Sequence, residues 1–173
     1  MNGARWYLMQ ERPETREEVD YMPFEIKMKD NSNEIIKLFE ERDTAGKEAV
    51  GLAMEAHVVE ACPVGTPDTT SIKNYHGGAL KKSITHKVID DTVFVGTNMK
   101  ANGKPYPVYV EFGTGVHAEG GKGRQSPWVW RDKNGDYHYT HGIKPTHFMR
   151  NALQNPKNIE EYKQKYENQL KKG

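Results

Sequence analysis

Four histidines, His117, His138, His141 and His147, crowd the C-terminal half of this 173-residue chain. With Glu111, Glu119, Asp132 and Asp136 nearby, they supply the residue types of a metal centre or a general acid–base pair. Their spacing does not organise them. No HExxH, facial triad or Cys/His ladder is present, and a strand through Tyr137–Thr140 puts His138 and Thr140 on one face and His141 on the other. His57 and Cys62 are too few to hold zinc and read as packing residues. Ser71, Ser83 and Ser126 lack a GxSxG elbow, and Cys62 lacks the basic or helix N-terminal setting of a reactive thiolate. GGKGRQSP has neither the four-residue gap nor the hydroxyl of a phosphate-binding loop. The expectation is a protein that is not an enzyme, with no catalytic, cofactor-binding or metal-ligating residue and no cofactor.

A second constellation is basic and aromatic. Lys122, Arg124, Trp128, Trp130, Arg131 and Lys133 are the types that grip phosphates and stack on bases. Strand alternation divides them between faces, and 25 Lys plus Arg against 24 Asp plus Glu leave no global field to attract nucleic acid or an anionic membrane. Any DNA contact must be local.

The elements that position these groups can be read in order. Residues 1–22 combine Trp6, Tyr7, Leu8 and Met9 with a charged stretch broken by Pro13, and read as an N-terminal arm. Phe24–Asp30 alternates as a half-buried strand. Asn31 and Glu34 have capping-box spacing, and Ile35, Ile36, Phe39, Ala49, Leu52, Ala53 and Ala56 recur as the buried side of a long helix ending before Pro63. Pro63–Gly78 reads as a long loop, Leu80–Ile89 and Thr92–Thr97 as a hairpin turning at Asp90-Asp91, and Asn98–Pro105 as a second loop. Thr114–Pro127 is a glycine-rich basic loop. Trp128–Thr140 is a hairpin with a tight turn at Asn134-Gly135. A helix starts near Thr146 with Phe148, Met149, Ala152 and Leu153 inside. After Asn155 another runs from Pro156 to Lys172, with Ile159, Tyr162, Tyr166 and Leu170 as its stripe.

The length suits one domain with tails: an arm at 1–22, a single α+β domain at 23–155 and a helical extension at 156–173. A mean hydropathy of −0.89 and 35% hydrophobic residues are low for a self-sufficient globule and suggest an assembly component. The lone cysteine precludes an internal disulfide and suits a reducing compartment. No membrane span or secretory signal is visible, so a soluble protein made in a cytoplasm is expected.

The remaining stretch, Pro107–Gly115 (PVYVEFGTG), sets aromatics and β-branched residues against Gly-Thr-Gly, wording built to turn. In order along the chain stand GALKKSI (Gly78–Ile84), TVFVGTN (Thr92–Asn98), YPVYVEFGTG, the tryptophan hairpin and GIKPTHFMRNAL (Gly142–Leu153). From about Asn31 to Leu153 this series resembles the tail-component, or neck and tail-completion, family of long-tailed bacteriophages. Residues 1–22, 66–76 and 156–173 depart from it.

That resemblance implies an α+β fold, with long N-terminal and C-terminal helices packed on a mostly antiparallel sheet with long loops. It implies a structural virion protein at the head-to-tail junction, made in the bacterial host cytoplasm. Its partners would be further copies of itself in a ring, taken as a hexamer, together with head connector or stopper proteins and a tail terminator or tail tube protein. DNA in the channel is an open, non-specific contact, and no membrane is implied. Tyr109, Glu111 and Phe112 are expected to hold the segment in the fold, and the Thr114–Pro127 loop, with Lys122 and Arg124, to meet a partner or face the DNA channel; Tyr106, Gly113, Trp128 and Trp130 are expected as fold or partner contacts. The alternatives are a tail terminator, a minor tail protein, a small nucleic-acid-binding module or a metal-dependent hydrolase.

Overall fold

The longest element, helix α1 (Ser32–Ala61), has an acidic first turn at Glu34 and ends where Cys62, extended at ψ 122°, precedes Pro63. In the computed structural model, which describes residues 27–66, 77–101, 103–132 and 134–172, this helix is the spine of an α+β fold. Its start differs from expectation. The Asn31 side chain makes no cap, and the Asp30 carboxylate instead accepts the Ser32 N–H at 2.9 Å. Residues 27–30 are exposed and irregular rather than a strand, while the rest of that expected strand, and the arm, lie outside the described residues.

A short helix α2 (Ala79–Ser83) occupies what reads in sequence as the beginning of a strand. Gly78, at φ +105°, turns the chain into it, a conformation open to glycine. Strands β1 (Thr85–Ile89) and β2 (Thr92–Gly96) then pair antiparallel, Ile89 opposite Thr92, around Asp90-Asp91 as expected. The expected loop at 98–105 contains a minimal ladder of β3 (Lys100–Ala101) and β4 (Lys104–Pro105). Helix α3 (Tyr106–Phe112) follows, then two single 3-10 turns at Gly115–His117 and Glu119–Gly121. Strands β5 (Trp128–Arg131) and β6 (Tyr137–Thr140) form the tryptophan hairpin, and helices α4 (Phe148–Gln154) and α5 (Pro156–Leu170) close the chain. Antiparallel pairing is thus present, distributed among the described residues over three two-stranded ladders rather than one sheet.

Helix α5 begins as its sequence dictates: Pro156 occupies the first turn, and the Asn155 side chain accepts the Lys157 N–H at 3.0 Å. It lies antiparallel along α1, with Tyr162 against His57, Tyr166 against Gly46, and the Leu170 carbonyl accepting from Arg42 at 3.3 Å. Gly46 is required there, since a Cβ would stand 2.6 Å from the Tyr166 ring. On another side of α1, Gly51 admits the His86 ring of β1. That ring is held by Glu55 through Nδ1 (2.6 Å) and by Glu48 through Nε2 (3.1 Å), and the two carboxylates raise the His86 pKa, the Glu55 bond most.

The core sits at the C-terminal end of α1, where Val58, Cys62, Leu80, Ile84, Val110, Phe148 and Ala152 are buried together. Burial raises the Cys62 thiol pKa, as suits a packing residue. The N-terminal half of α1 departs from expectation. Ile35 (65% exposed), Ile36 and Phe39 (61%) face outward, because α5 ends beside Arg42 and nothing among the described residues covers the first turns; Leu52 and Ala56, farther along, are exposed as well.

Candidate functional site

Helix α3 carries the segment singled out in the sequence, and Pro107, Val110 and Glu111 point inward from it. A carboxylate that is only 6% exposed needs partners in proportion to its charge. Glu111 finds them at the start of α4, where its oxygens accept the N–H groups of Met149 (3.0 Å) and Arg150 (3.1 Å). The residue at the N-cap position, His147 at φ +50°, offers no side-chain cap, so Glu111 supplies it from another element. Thr146 strengthens the joint by donating its hydroxyl to the Val110 carbonyl at 2.9 Å.

The chain leaves α3 through Gly113, at φ +75°, where a Cβ would stand 2.8 Å from the carbonyls of both His117 and Ile143. Thr114 then locks onto 141–143: its N–H donates to the Ile143 carbonyl (2.9 Å) and its hydroxyl accepts the Ile143 N–H (3.0 Å). A comparable joint connects α2 to the residue just after β2, where the Ser83 and Thr97 hydroxyls meet at 2.7 Å. Four of the five segments in that series therefore engage one another in pairs, GALKKSI with TVFVGTN and YVEFGTG with GIKPTHF.

Around this joint lies an open apolar groove of about 420 Å³, lined by Val108, Phe112, Met149 and Leu153 with Arg150 and Gln154. Phe112 is 41% exposed, with the Arg150 guanidinium over its ring at 5.6 Å. Arg150 also donates both terminal nitrogens to Glu119 at 3.0 Å each, and that bond is the main cause lowering the Glu119 pKa. Tyr106 and Tyr109 are half-buried, and Tyr106 packs against the core.

Among the basic and aromatic candidates, Trp128 and Trp130 alternate onto one face of β5. Lys122 is exposed, Arg124 lies over the Trp128 ring at 5.6 Å and donates to Ser126, and Trp130 stacks on His138 at 4.6 Å between ring centroids. The hairpin turn is wider than the expected two-residue turn at Asn134-Gly135, because Asp132 organises it. One Asp132 oxygen accepts the N–H groups of Asn134 (2.8 Å) and Asp136 (3.0 Å), and the other contacts His138 at 2.9 Å. Contact with His138 is the first cause holding the Asp132 pKa below the ordinary value. The outer face of this ribbon, Val129, Tyr137 and Tyr139, is exposed.

The histidines serve separate places. His138 belongs to the hairpin turn, His141 meets the edge of Tyr139, and His147 Nδ1 is 3.8 Å from a Glu119 oxygen without a hydrogen bond. Among the described residues no three His, Cys, Asp or Glu side chains converge on a metal position. No helix among them is long and apolar enough to cross a membrane. Sequence reasoning missed Val108 and Arg150 as groove residues, Glu119 as the partner of Arg150, and the outward face of early α1. Compared with known protein families, curated proteins and solved structures, the chain matches none.

Proposed function

We propose that this chain is a structural component of the junction between head and tail in a long-tailed bacteriophage, acting through contacts with copies of itself and with neighbouring neck and tail proteins. The observation that carries this reading is the pairwise locking of the motif segments. Glu111 capping α4 and Thr114 bonded to Ile143 join one pair of segments, and Ser83 against Thr97 joins another. The function is an inference from the resemblance of the sequence segments alone.

Surface chemistry supports an assembly role. Large apolar side chains stand exposed on early α1, on α3 at Val108 and Phe112, and on the outer face of the β5–β6 ribbon. Apolar patches of this kind mark contact surfaces.

The test is electron microscopy of lysates from the virus carrying a null allele of this gene, with plasmid rescue in parallel. Filled heads beside free tails of normal length are expected. Abnormally long tails would reassign the protein to tail termination. Complete, infectious particles would overturn the proposal.

A further inference from the structure

Helix α1 begins bare. Every residue from Ser32 to Glu41 is exposed, so the helix runs for ten residues, roughly 15 Å at 1.5 Å per residue, before Arg42 meets the end of α5. At 100° per residue Leu38, Ile35, Phe39 and Ile36 form one continuous apolar arc along this stretch, with exposures of 46–65%. Most helical stability in a folded protein comes from packing such a face, and Ile and Phe are not strong helix formers on their own. The arc needs a cover.

Its margins say what cover fits. Glu34 borders the arc beside Leu38 and Glu40 borders it beside Ile36, whereas Lys37 lies on the opposite side, 4.0 Å from Glu41. An apolar strip with acidic margins suits an apolar segment that carries positive charge and no negative charge. Residues 1–26 precede the first described residue, Lys27, and their sequence holds one such segment. From Met1 to Gln10 the only charged side chain is Arg5, next to the run Trp6, Tyr7, Leu8 and Met9. From Glu11 to Ile26 the apolar residues Val19, Tyr21, Phe24 and Ile26 are interleaved with Glu17, Glu18, Asp20 and Glu25, which the acidic margins repel.

We propose that Arg5, Trp6, Tyr7, Leu8 and Met9 of this same chain fold back over the start of α1 and cover the arc of Ile35, Ile36, Leu38 and Phe39. The contact is a strap within one molecule, and it does not depend on the neck reading.

Reach and tethering select the chain's own segment over a second molecule. Phe39 lies about 11 Å along the axis from Ser32, while the chain from Met9 to Lys27 can span up to about 60 Å, so the return is easily made. A tether of this length gives an effective concentration on the order of millimolar, far above that at which a second copy is met in dilute solution. The α1 overhang of a second copy is also the poorer match, because it brings the same glutamates to the same margins.

The experiment follows amide hydrogen exchange by mass spectrometry in full-length protein, reading peptides that cover residues 32–41, with residues 156–170 as the control for an intact fold. The forms are wild type, a tip variant (Trp6→Asp with Leu8→Asp), a stem variant (Val19→Asp with Phe24→Asp), Phe39→Asp, and the tip changes combined with Phe39→Asp. The tip variant should exchange at least tenfold faster than wild type at 32–41 and equally at 156–170, and the stem variant should behave as wild type. Added to Phe39→Asp, the tip changes should have no further effect, since both remove the same contact. The wild-type rate should be the same from about 1 to 100 µM, as a contact within one molecule requires.

The inference is overturned if wild type exchanges at 32–41 as fast as the tip variant, or if the stem variant shows the loss in its place. Protection that grows with protein concentration would assign the cover to a second copy, and a full further loss from the tip changes in Phe39→Asp would place the tip elsewhere; either result overturns it as well.

Discussion

Glu111→Ala should be among the most destabilising single changes outside the apolar core. The substitution removes both acceptors from the Met149 and Arg150 amides and leaves the first turn of α4 with no side-chain cap, since His147 provides none. Hydrogen bonds to a charged group contribute about 1.5–3 kcal/mol each, and losing an ordinary N-cap costs about 0.5–2 kcal/mol. Because the two bonds share one carboxylate, their loss is less than additive, and about 3 kcal/mol is expected for Ala. For a chain of this size that corresponds to a fall of roughly 6–12 °C in the melting temperature. Glu111→Gln retains one acceptor oxygen and should lose about 1–2 kcal/mol. Urea unfolding followed by circular dichroism measures both. A cost for Ala below about 1 kcal/mol, the range of an ordinary surface change, would refute the capping role.

Further outcomes follow from the packing around α1 and α4. Phe148→Ala, at a 2% exposed core position, should cost about 3–5 kcal/mol in denaturant unfolding, whereas Phe112→Ala, 41% exposed, should cost well under half as much. Gly51→Ala drives a Cβ into the His86 ring and should destabilise by about 1–3 kcal/mol, with His86→Ala in the same chain restoring part of the loss. Protonated His86 is favoured in the folded state by Glu55 and Glu48. Its stabilising effect is therefore full below the ordinary histidine value of about 6.5 and disappears as pH rises through the raised folded value. Melting temperature measured against pH should lose this component in His86→Gln, and an unchanged profile would show that the contact is not coupled to folding.

Local chemistry was legible in the sequence, and distant chemistry was not. Asn155 and Pro156 begin α5 through bonds to their immediate neighbours, and the end of α1 follows from Cys62 standing before Pro63. Pattern alone could not tell which part of α1 is covered. Ile35, Ile36 and Phe39 have the spacing of a buried face, yet coverage depends on where α5 ends, at Leu170 beside Arg42. The β5–β6 hairpin was visible from its aromatic runs, but its wider turn follows from the reach of the Asp132 carboxylate. Glu111 could be singled out by its setting, while its partners lie 38 and 39 residues away and no spacing rule connects them.

The most direct measurement of the neck proposal is gold labelling, with an antibody against this protein, of purified particles of the long-tailed phage proposed to encode it. The neck reading predicts gold at the single junction between head and tail. Gold along the tail, at its tip or on the head shell, or purified particles that lack the protein on a blot, would contradict it.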